Sequence, residues 1–589
     1  MRKLAALTCT SLTLLACNDT TSRAEFGDLD TGVTTLNADS DSTSESGDSD
    51  ASTSDSGDTD GTTDTADTAD TDDTADTDDT ADTADTADTD DTADTADTDD
   101  TGEPCGPECC PKEHSCEGDT SLICNEDGTD WEAKETCDPL QGVLCNEGTG
   151  QCSGPCSQNS LGLSYIGCDY YPTVVQQYDL YNTAPTHEYA VAVANVGDED
   201  AMIIITQGDG MVLDTVVPGG DVEVIKLPWV NPLTKGTGPS AMVVDGAYRL
   251  RSDRPVVVYQ YNPLASSASN DASILLPVNA WGEQAMVASL PYWSAYNLVG
   301  FYAVVASEDQ TTVTLTPGPQ SGTAQPGAGV PANGAAQVVL DDSDVLQVVT
   351  ASGDLSGTRV SADKPIQVIS GHECTNVPVN IAACDHLEES MFPIETLGKK
   401  YIIVPPVQVP NTNALKAQIV RIMAVEDGTQ ITFNPDQGVN QVLDAGGFFD
   451  LPMSTAAYEV SSDKPFMAVQ FMVGQNAGYG TSDPAMLLAV PTGQYRSSYL
   501  FHAAPSWTAN FVDIVAPAGA DVSVDGANVG AWTPVGDSGY SVAHVQLSNA
   551  GNGNHTVTSN QQVGISVYGV QSYGSYWYPG GLDLTINPQ

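Results

Sequence analysis

The stretch SDRPVVVYQY at residues 252–261 decides the fold of this chain, because the chain repeats its pattern. DKPIQVI follows at 363–369, DKPFMAVQF at 463–471, and a weaker copy, SNQQVGISVY, at 559–568. The prolines of the first three copies are 110 and 100 residues apart. Each copy ends in a short run of β-branched and aromatic residues, which is typical of a strand. Proline fixes φ and has no N–H, so we expect a structural turn at each motif, with a strand beginning after it.

Further strand pairs recur upstream of these motifs. They lie at 303–306 with 312–315, at 422–425 with 430–433, and at 514–516 with 522–524. Downstream of the first three motifs an Asp precedes an apolar run and a Pro, in the pairs Asp271 with Pro277, Asp385 with Pro393, and Asp483 with Pro491. We therefore expect residues 165–589 to be all-β, with about four antiparallel modules of ~100 residues, sandwich-like or propeller-like. A short helix is expected only around His386 to Met391.

Residues 18–104 form a tract of a different kind. They carry 30 acidic residues against Arg23 alone, a net charge of −29 within the total of −62. Beyond Leu36 the tract has no large apolar residue, so it has nothing to bury and is predicted to be a disordered, extended spacer. With 18 Lys and Arg in the whole chain, nucleic acid is not expected as a partner, because phosphate binding needs clustered cations.

The N-terminus is predicted to be a lipoprotein signal peptide spanning residues 1–17. Arg2 and Lys3 precede an apolar run from Leu4 to Leu15, and the run ends in LLAC at 14–17. Cleavage before Cys17 would leave an acylated cysteine that anchors the chain to a bacterial membrane, and we expect the outer one. The alternative is an ordinary signal peptide with an incidental cysteine.

The chain has 14 cysteines, and ten of them lie between 105 and 168. With Cys9 and Cys17 set aside, twelve remain, an even number that indicates disulfides in an exported protein. Residues 105–164 are therefore predicted to be a small disulfide module, with a connectivity that the sequence leaves open. Cys374 and Cys384 are expected to form a further disulfide that closes a short loop.

Several segments resemble the N-terminal domain of the IgG Fc-binding protein family. The most specific is ACDHLEE at 383–389, preceded by GHEC at 371–374; weaker matches are GCDYY at 167–171, YQYNP at 259–263 and YWYPGGL at 576–582. The resemblance covers about residues 165–589. It implies an extracellular, non-enzymatic binding domain.

The densest group of chemically versatile residues lies at 372–389. A disulfide between Cys374 and Cys384 would bring His372 close to Asp385 and His386, and we take these three as candidate binding residues. Imidazoles and carboxylates together could hold a divalent metal or act in acid–base catalysis. The plainer interpretation is a closed loop whose polar side chains bind the backbone, and we predict no metal, cofactor or catalytic residue here.

The aromatic segment Tyr576, Trp577 and Tyr578 is the second candidate binding site. Aromatic side chains are typical of contact surfaces for protein or glycan, but strand packing at the end of the last module explains them equally simply. The overall prediction is a cell-surface lipoprotein that displays a β-rich adhesion or recognition domain for a protein or glycan. A secreted hydrolase of polysaccharide or protein is the alternative.

Overall fold

The computed structural model describes residues 105–178, 187–234, 238–264, 269–586 and 588. The predicted signal peptide, its Cys17 and the acidic spacer lie outside these residues. No helix in the described ranges has the length and apolar character needed to cross a membrane. The described chain is almost entirely antiparallel β-structure, so the predicted all-β class is confirmed.

The cysteine-rich segment folds into small sheets joined by disulfides. Its elements are β1 (His114–Glu117), β2 (Thr120–Cys124), β3 (Trp131–Thr136), β4 (Leu144–Asn146), β5 (Gln151–Ser153) and the short helix α1 (Gln158–Leu161). The disulfides are Cys105–Cys110, Cys109–Cys124, Cys116–Cys145, Cys137–Cys152 and Cys156–Cys168. The expectation of disulfide bonding is thus confirmed, and the last bridge ties this segment to the first strand of the β-region.

Four modules follow, each built on the same plan. Module 1 contains β6 (Gly167–Tyr170), β7 (Tyr189–Asn195), β8 (Ala201–Gln207), β9 (Gly210–Val217), β10 (Val222–Leu227), α2 (Asn231–Thr234), β11 (Ala241–Val243), β12 (Arg249–Tyr261) and β13 (Ala272–Leu275). Module 2 contains β14 (Gly282–Met286), β15 (Gly300–Ala306), β16 (Thr311–Thr316), β17 (Thr323–Ala324), β18 (Ala336–Leu340), β19 (Val345–Ser352), β20 (Arg359–Asn376) and β21 (Cys384–Ser390).

Modules 3 and 4 follow the same plan. Module 3 contains β22 (Lys400–Ile403), β23 (Gln418–Ala424), β24 (Thr429–Asn434), β25 (Val442–Leu443), β26 (Phe448–Asp450), β27 (Tyr458–Ser462), β28 (Phe466–Met472) and β29 (Met486–Leu488). Module 4 contains β30 (Arg496–His502), β31 (Ala509–Pro517), β32 (Val522–Val524), β33 (Ala527–Asn528), β34 (Thr533–Pro534), β35 (Tyr540–Gln546), β36 (Asn554–Gln571) and β37 (Gly574–Pro579). Short 3-10 turns stand at Pro139–Gln141, Val278–Ala280, Ile394–Thr396, Gln475–Ala477 and Thr492–Gln494.

Each module is a sandwich of two sheets. Module 3 shows this most simply, with one sheet in the order β22-β27-β24-β25 and the other in the order β26-β23-β28-β29. Side chains from both sheets, including Tyr401, Ile431, Ile422 and Phe466, share one buried cluster. In modules 1, 2 and 4 a single long strand (β12, β20 or β36) belongs to both sheets in turn.

The repeated motif lies inside these long strands, so the predicted turn before each strand is wrong for modules 1 and 2. β12 runs through Asp253 and Pro255, and β20 runs through Asp363 and Pro365. The pairing register shifts at this point, where the strand leaves one sheet for the other. Proline is tolerated because it sits at that irregularity rather than in an unbroken ladder. The structural role expected for the motif holds, since it marks the bend of the sandwich.

The last strands of the modules, β13, β21, β29 and β37, pack side by side around one axis, and we call them the axial strands. β13 contacts β21, β21 contacts β29, β29 contacts β37, and β37 returns to β13. The four sandwiches therefore form a closed ring. The short helix expected around His386 to Met391 is instead β21, because its backbone pairs with β20 from Ile369 to Asn376.

Candidate functional site at the ring axis

The sequence-predicted residues of 372–389 converge on the axis of the ring. His372 lies in β20, and Asp385 and His386 lie in the axial strand β21 that pairs with it. A Cβ at Gly371 would lie 1.7 Å from the Leu387 carbonyl oxygen, so glycine allows β20 and β21 to approach this closely. Cys374 and Cys384 form a disulfide across the loop that joins the two strands.

His372 and Glu373 are buried and bonded to the backbone. His372 Nδ1 accepts a hydrogen bond from the Cys374 N–H at 3.2 Å. Burial lowers the pKa of His372 to about 3, so the imidazole is neutral at physiological pH. The Glu373 carboxyl accepts hydrogen bonds from the Val299 N–H at 2.7 Å and from Gln176 Nε2 at 2.9 Å. Burial nevertheless raises the pKa of Glu373 to about 7.

His386 and Glu388 form a buried pair with Nε2 and Oε2 3.3 Å apart. Burial lowers the pKa of His386 to about 3 and raises that of Glu388 well above its ordinary value. Burial therefore favours the uncharged form of both groups, which avoids placing two charges in the core. Asn262 Nδ2 lies 3.2 Å from the same ring nitrogen, and the His386 ring packs against Phe301.

Asp385 connects three modules. Its Oδ1 accepts hydrogen bonds from the N–H of Asn270 at 2.5 Å and of His386 at 2.9 Å, and its Oδ2 accepts one from the Ser575 N–H at 3.1 Å. Asn270 precedes β13 and Ser575 lies in β37. Burial, with the nearby Asp483 as a second cause, raises the pKa of Asp385 well above its ordinary value.

Asp271 connects all four modules and was not among the predicted site residues. Its Oδ1 accepts hydrogen bonds from the N–H of Ala272 at 3.0 Å and of Trp577 at 3.1 Å. Its Oδ2 accepts them from the N–H of Glu388 at 3.2 Å and of Met486 at 3.0 Å. The recurring Asp before an apolar run and a Pro is the sequence signal that could have identified this residue.

The aromatic segment of β37 is also interior. Tyr576, Trp577 and Tyr578 are fully buried. Tyr576 donates its hydroxyl hydrogen to Asn510 Oδ1 at 2.8 Å, and Tyr578 donates to the His502 carbonyl. Tyr578 also packs on Tyr259 of module 1, with ring centroids 4.9 Å apart. This placement matches the strand-packing interpretation and leaves none of the three rings on the surface.

All six candidate binding residues thus lie inside the ring, and this placement limits the contacts that they can make. Except for His372, whose hydrogen bond lies within module 2, they contact residues of other modules, and a large ligand cannot touch any of the six while the ring is closed. In the described part of the chain, no three His, Cys, Asp or Glu side chains are placed to hold a metal ion.

The profile of the family described as IgGFc binding protein matches residues 271–569. The chain belongs to this family. The human IgGFc-binding protein (Homo sapiens) is 26% identical over 428 residues, which is 71% of this chain and 7% of the human protein. This chain therefore spans only a small fraction of that relative's length. A solved structure titled "Crystal structure of tetra-tandem repeat in extending region of large adhesion protein" matches 70% of this chain and 100% of its own, at 10% identity and a TM-score of 0.07. A likeness this weak carries no conclusion about the fold.

Proposed function

We propose that this protein is a cell-surface lipoprotein whose ring of four β-modules recognises an extracellular protein ligand. Acyl chains on Cys17 would hold it on the outer membrane, and the acidic tract of residues 18–104 would hold the ring away from the surface. Membership of the IgGFc-binding family supports a recognition function, and the disulfides support an extracytoplasmic location. Recognition of this kind requires no cofactor.

The ligand surface that we propose is the axial loop face, formed by the loops at 291–299, 377–383, 474–480 and 571–574. The last three of these loops contact one another around the end of the axis. The Gly474 N–H donates to the Val377 carbonyl at 2.9 Å, Asn476 Nδ2 donates to the Ala382 carbonyl, and the Tyr573 N–H donates to Gln475 Oε1 at 3.4 Å. The hairpin at 291–299 lies beside the end of β20 that leads into the loop at 377–383, because the Val299 N–H donates to Glu373 Oε1 of that strand.

We choose this face because of the apolar side chains that its loops expose. Three of its loops each expose a large apolar side chain: Tyr296 is 66% exposed, Val379 56% and Tyr573 46%. Loops on a rigid scaffold are the usual carriers of recognition residues, and tyrosine is enriched among the residues that supply most of the energy at protein contacts. The buried hydrogen bonds beneath the face make the scaffold rigid.

A binding array of extracellular proteins and glycans, including immunoglobulin Fc, tests the proposal with the full-length protein. The variant Tyr296→Ser/Val379→Ser/Tyr573→Ser should weaken binding of the protein ligand at least about tenfold. A matched control removes exposed apolar side chains elsewhere: Met211 (67% exposed), Val442 (62%) and Val339 (47%), each changed to Ser. Equal losses in both variants, or binding to glycans alone, would contradict the proposal.

The anchor is tested separately. Cells grown with a labelled fatty acid should incorporate label into the wild-type protein and not into the Cys17→Ser variant. The variant should also leave the membrane fraction, since it lacks the acyl chains whose burial in the bilayer holds the wild type there. Unlabelled wild-type protein, free in the medium, would refute the anchor without affecting the ligand surface.

A further inference from the structure

Module 4 carries an open groove between the edges of its two sheets. A cavity of about 460 Å³ lies between β33 of one sheet and β35 of the other. Its lining is mixed: the apolar side chains include Val524, Val529, Val545 and Leu547, and the polar groups include Asp525 and His544. None of its lining residues belongs to the axial loop face.

One wall of the groove is an open strand edge. β35 pairs with β31 along its whole length, whereas on its other side β34 reaches only Ser541 and Val542. The Leu547 N–H donates to the Asn510 carbonyl of the β31 side at 2.9 Å. Because hydrogen bonds alternate along an antiparallel pair, the N–H and C=O groups of His544 and Gln546 point away from β31. Within the described ranges these groups have no backbone partner.

Module 2 shows what the same edge accepts. Its strand β19 corresponds to β35, since β15 pairs with β19 as β31 pairs with β35. There the outer edge is covered by β11, a three-residue segment that pairs Ala241 with Gln347 and Val243 with Val345. Val345 lies opposite Val305, and its counterpart Val542 lies opposite Val515. The positions bound by β11 in module 2 thus correspond to residues 542–544, of which 543 and 544 lie beyond the end of β34. β11 consists of small and apolar residues, Ala-Met-Val.

We propose that the groove of module 4 binds an extended segment of a partner polypeptide, which adds as a strand to β35 and places an apolar side chain in the cavity. The outward N–H and C=O groups of His544 and Gln546 supply the hydrogen bonds of the added strand. The segment is basic or uncharged outside its apolar residues. Residues 105–589 contain 50 of the 80 acidic and 15 of the 18 basic residues of the chain, a net charge of −35 that repels acidic segments. The inference rests on the proposed protein-binding function and adds a second contact to it.

The probe is a fluorescent heptapeptide, Lys-Ser-Ala-Met-Val-Val-Lys, which copies residues 240–244 between two lysines. Titration with the full-length protein should give saturable anisotropy with a Kd below about 1 mM. Amide hydrogen exchange should slow at His544 and Gln546 when the peptide is bound. A peptide that differs only in having proline in place of Met should not bind, because it cannot complete the ladder.

Two variants of the protein close the groove by different routes. Gln546→Pro removes an outward N–H that bonds to nothing within β35 or β31, and Gln546→Ala is the control that keeps it. Gly530→Trp fills the cavity, because a Cβ at Gly530 meets no atom within 4 Å. Both closing variants should lose peptide binding by at least about tenfold, while Gln546→Ala binds as the wild type does. Thermal unfolding of each variant shows that the ring is intact.

The proposal is overturned if the peptide fails to bind at about 1 mM, if the closing variants bind it normally, or if exchange slows at another strand. The axial-face variant separates this inference from the proposed function, since it should bind the peptide normally while losing the protein ligand. If the peptide binds but the array contains no macromolecular ligand, the proposed function is contradicted and the peptide site in the groove is supported. If the axial-face variant loses a protein ligand but the wild type does not bind the peptide, the proposed function is supported and the peptide site is contradicted.

Discussion

At the scale of single residues, the axis shows how a protein interior accommodates ionisable groups without charge. His372 and His386 are held neutral by burial, and burial raises the pKa of Glu388 beside His386, which favours its uncharged form. Each neutral form avoids the desolvation cost of an unpaired ion. The consequence is that the folded and unfolded states bind protons differently, which makes stability depend on pH.

His372 provides the test of this linkage. Its pKa falls from 6.5 to about 3 on folding, so its stabilising contribution is present above about pH 6.5 and is lost as the pH falls toward 3. The variant His372→Asn keeps an acceptor for the Cys374 N–H and lacks the titration. From about pH 6 to about pH 4 the wild type should lose stability relative to this variant by up to about 1.4 kcal/mol per pH unit.

Urea unfolding of both proteins at several pH values measures this difference. The carboxyl groups near the axis, Asp385, Glu388 and Glu389, titrate in both proteins, so their effects largely cancel in the comparison. A difference in unfolding free energy that does not change with pH would mean that His372 is charged in the folded state.

At the scale of elements, the repeated motif lies where a strand bends, and it accepts a hydrogen bond from a neighbouring segment of backbone. In each module an Asp or Asn oxygen accepts a hydrogen bond from a backbone N–H of the adjacent strand or the turn before it. The pairs are Asp253 with Met202 at 2.7 Å, Asp363 with Thr312 at 2.7 Å, Asp463 with Gln430 at 2.9 Å, and Asn560 with Asp521 at 2.9 Å. These bonds lower the pKa of Asp363 and Asp463. Asn560 shows that the acceptor oxygen matters more than the charge.

Asp253 tests this reading of the motif. Asp253→Ala should destabilise the protein by about 1 kcal/mol, because the Met202 N–H loses its acceptor. Asp253→Asn should cost distinctly less, since Asn560 fills the same role in module 4. Thermal unfolding and hydrogen exchange at Met202 measure the two effects. Equal destabilisation by both variants would show that the negative charge is what the bend requires.

At the scale of the whole molecule, the ring is closed by buried polar contacts as well as by its apolar core. Asp271 binds the backbone of all four axial strands. Away from the axis, Arg421 of module 3 reaches module 2, where it donates to Asp354 Oδ2 at 2.7 Å and to the Ser289 carbonyl at 2.8 Å. Within its own module Arg421 also pairs with Asp450 and covers the Phe448 ring. These contacts fix the modules relative to one another.

Asp271→Asn should destabilise the whole ring by about 3 kcal/mol, because an amide nitrogen would face two backbone N–H groups that now share one carboxyl oxygen. Asp483→Asn is the matched control, since Asp483 occupies the corresponding place in the third repeat and its buried Oδ1 has no hydrogen-bond partner. It should cost clearly less. Urea unfolding measures both, and a larger loss in the control would contradict the role assigned to Asp271.

Arg421→Met should cost about 3–5 kcal/mol, because it leaves the carboxylate of Asp354 in the interface without its partner. Arg359→Met is the comparison: Arg359 also crosses from module 2 to module 3, but there it donates to the Val425 carbonyl. Its loss should cost about 1 kcal/mol. Differential scanning calorimetry distinguishes the two, and similar shifts in melting temperature would argue against a special role for the buried ion pair.

The sequence by itself determined the local and periodic features of this protein. Short β-branched runs predict strands, a motif repeated about every hundred residues predicts similar modules, and an even number of cysteines in an exported chain predicts disulfides. The family resemblance at 383–389 also depended on local sequence. Each of these features depends on residues that are close together in the sequence, which is why it could be recognised without a structure.

Only the tertiary structure decided what lies at the axis and what lies outside. His372, Asp385, His386 and the aromatic residues 576–578 have the composition of a binding site, yet they are buried because four distant strands meet over them. Residues 386–390 form part of a strand because β20 supplies their hydrogen bonds. The closure of the four sandwiches into a ring depends on contacts between residues as far apart as Asp271 and Trp577. Such contacts form only through the cooperative burial of the whole chain, so no local sequence pattern predicts them.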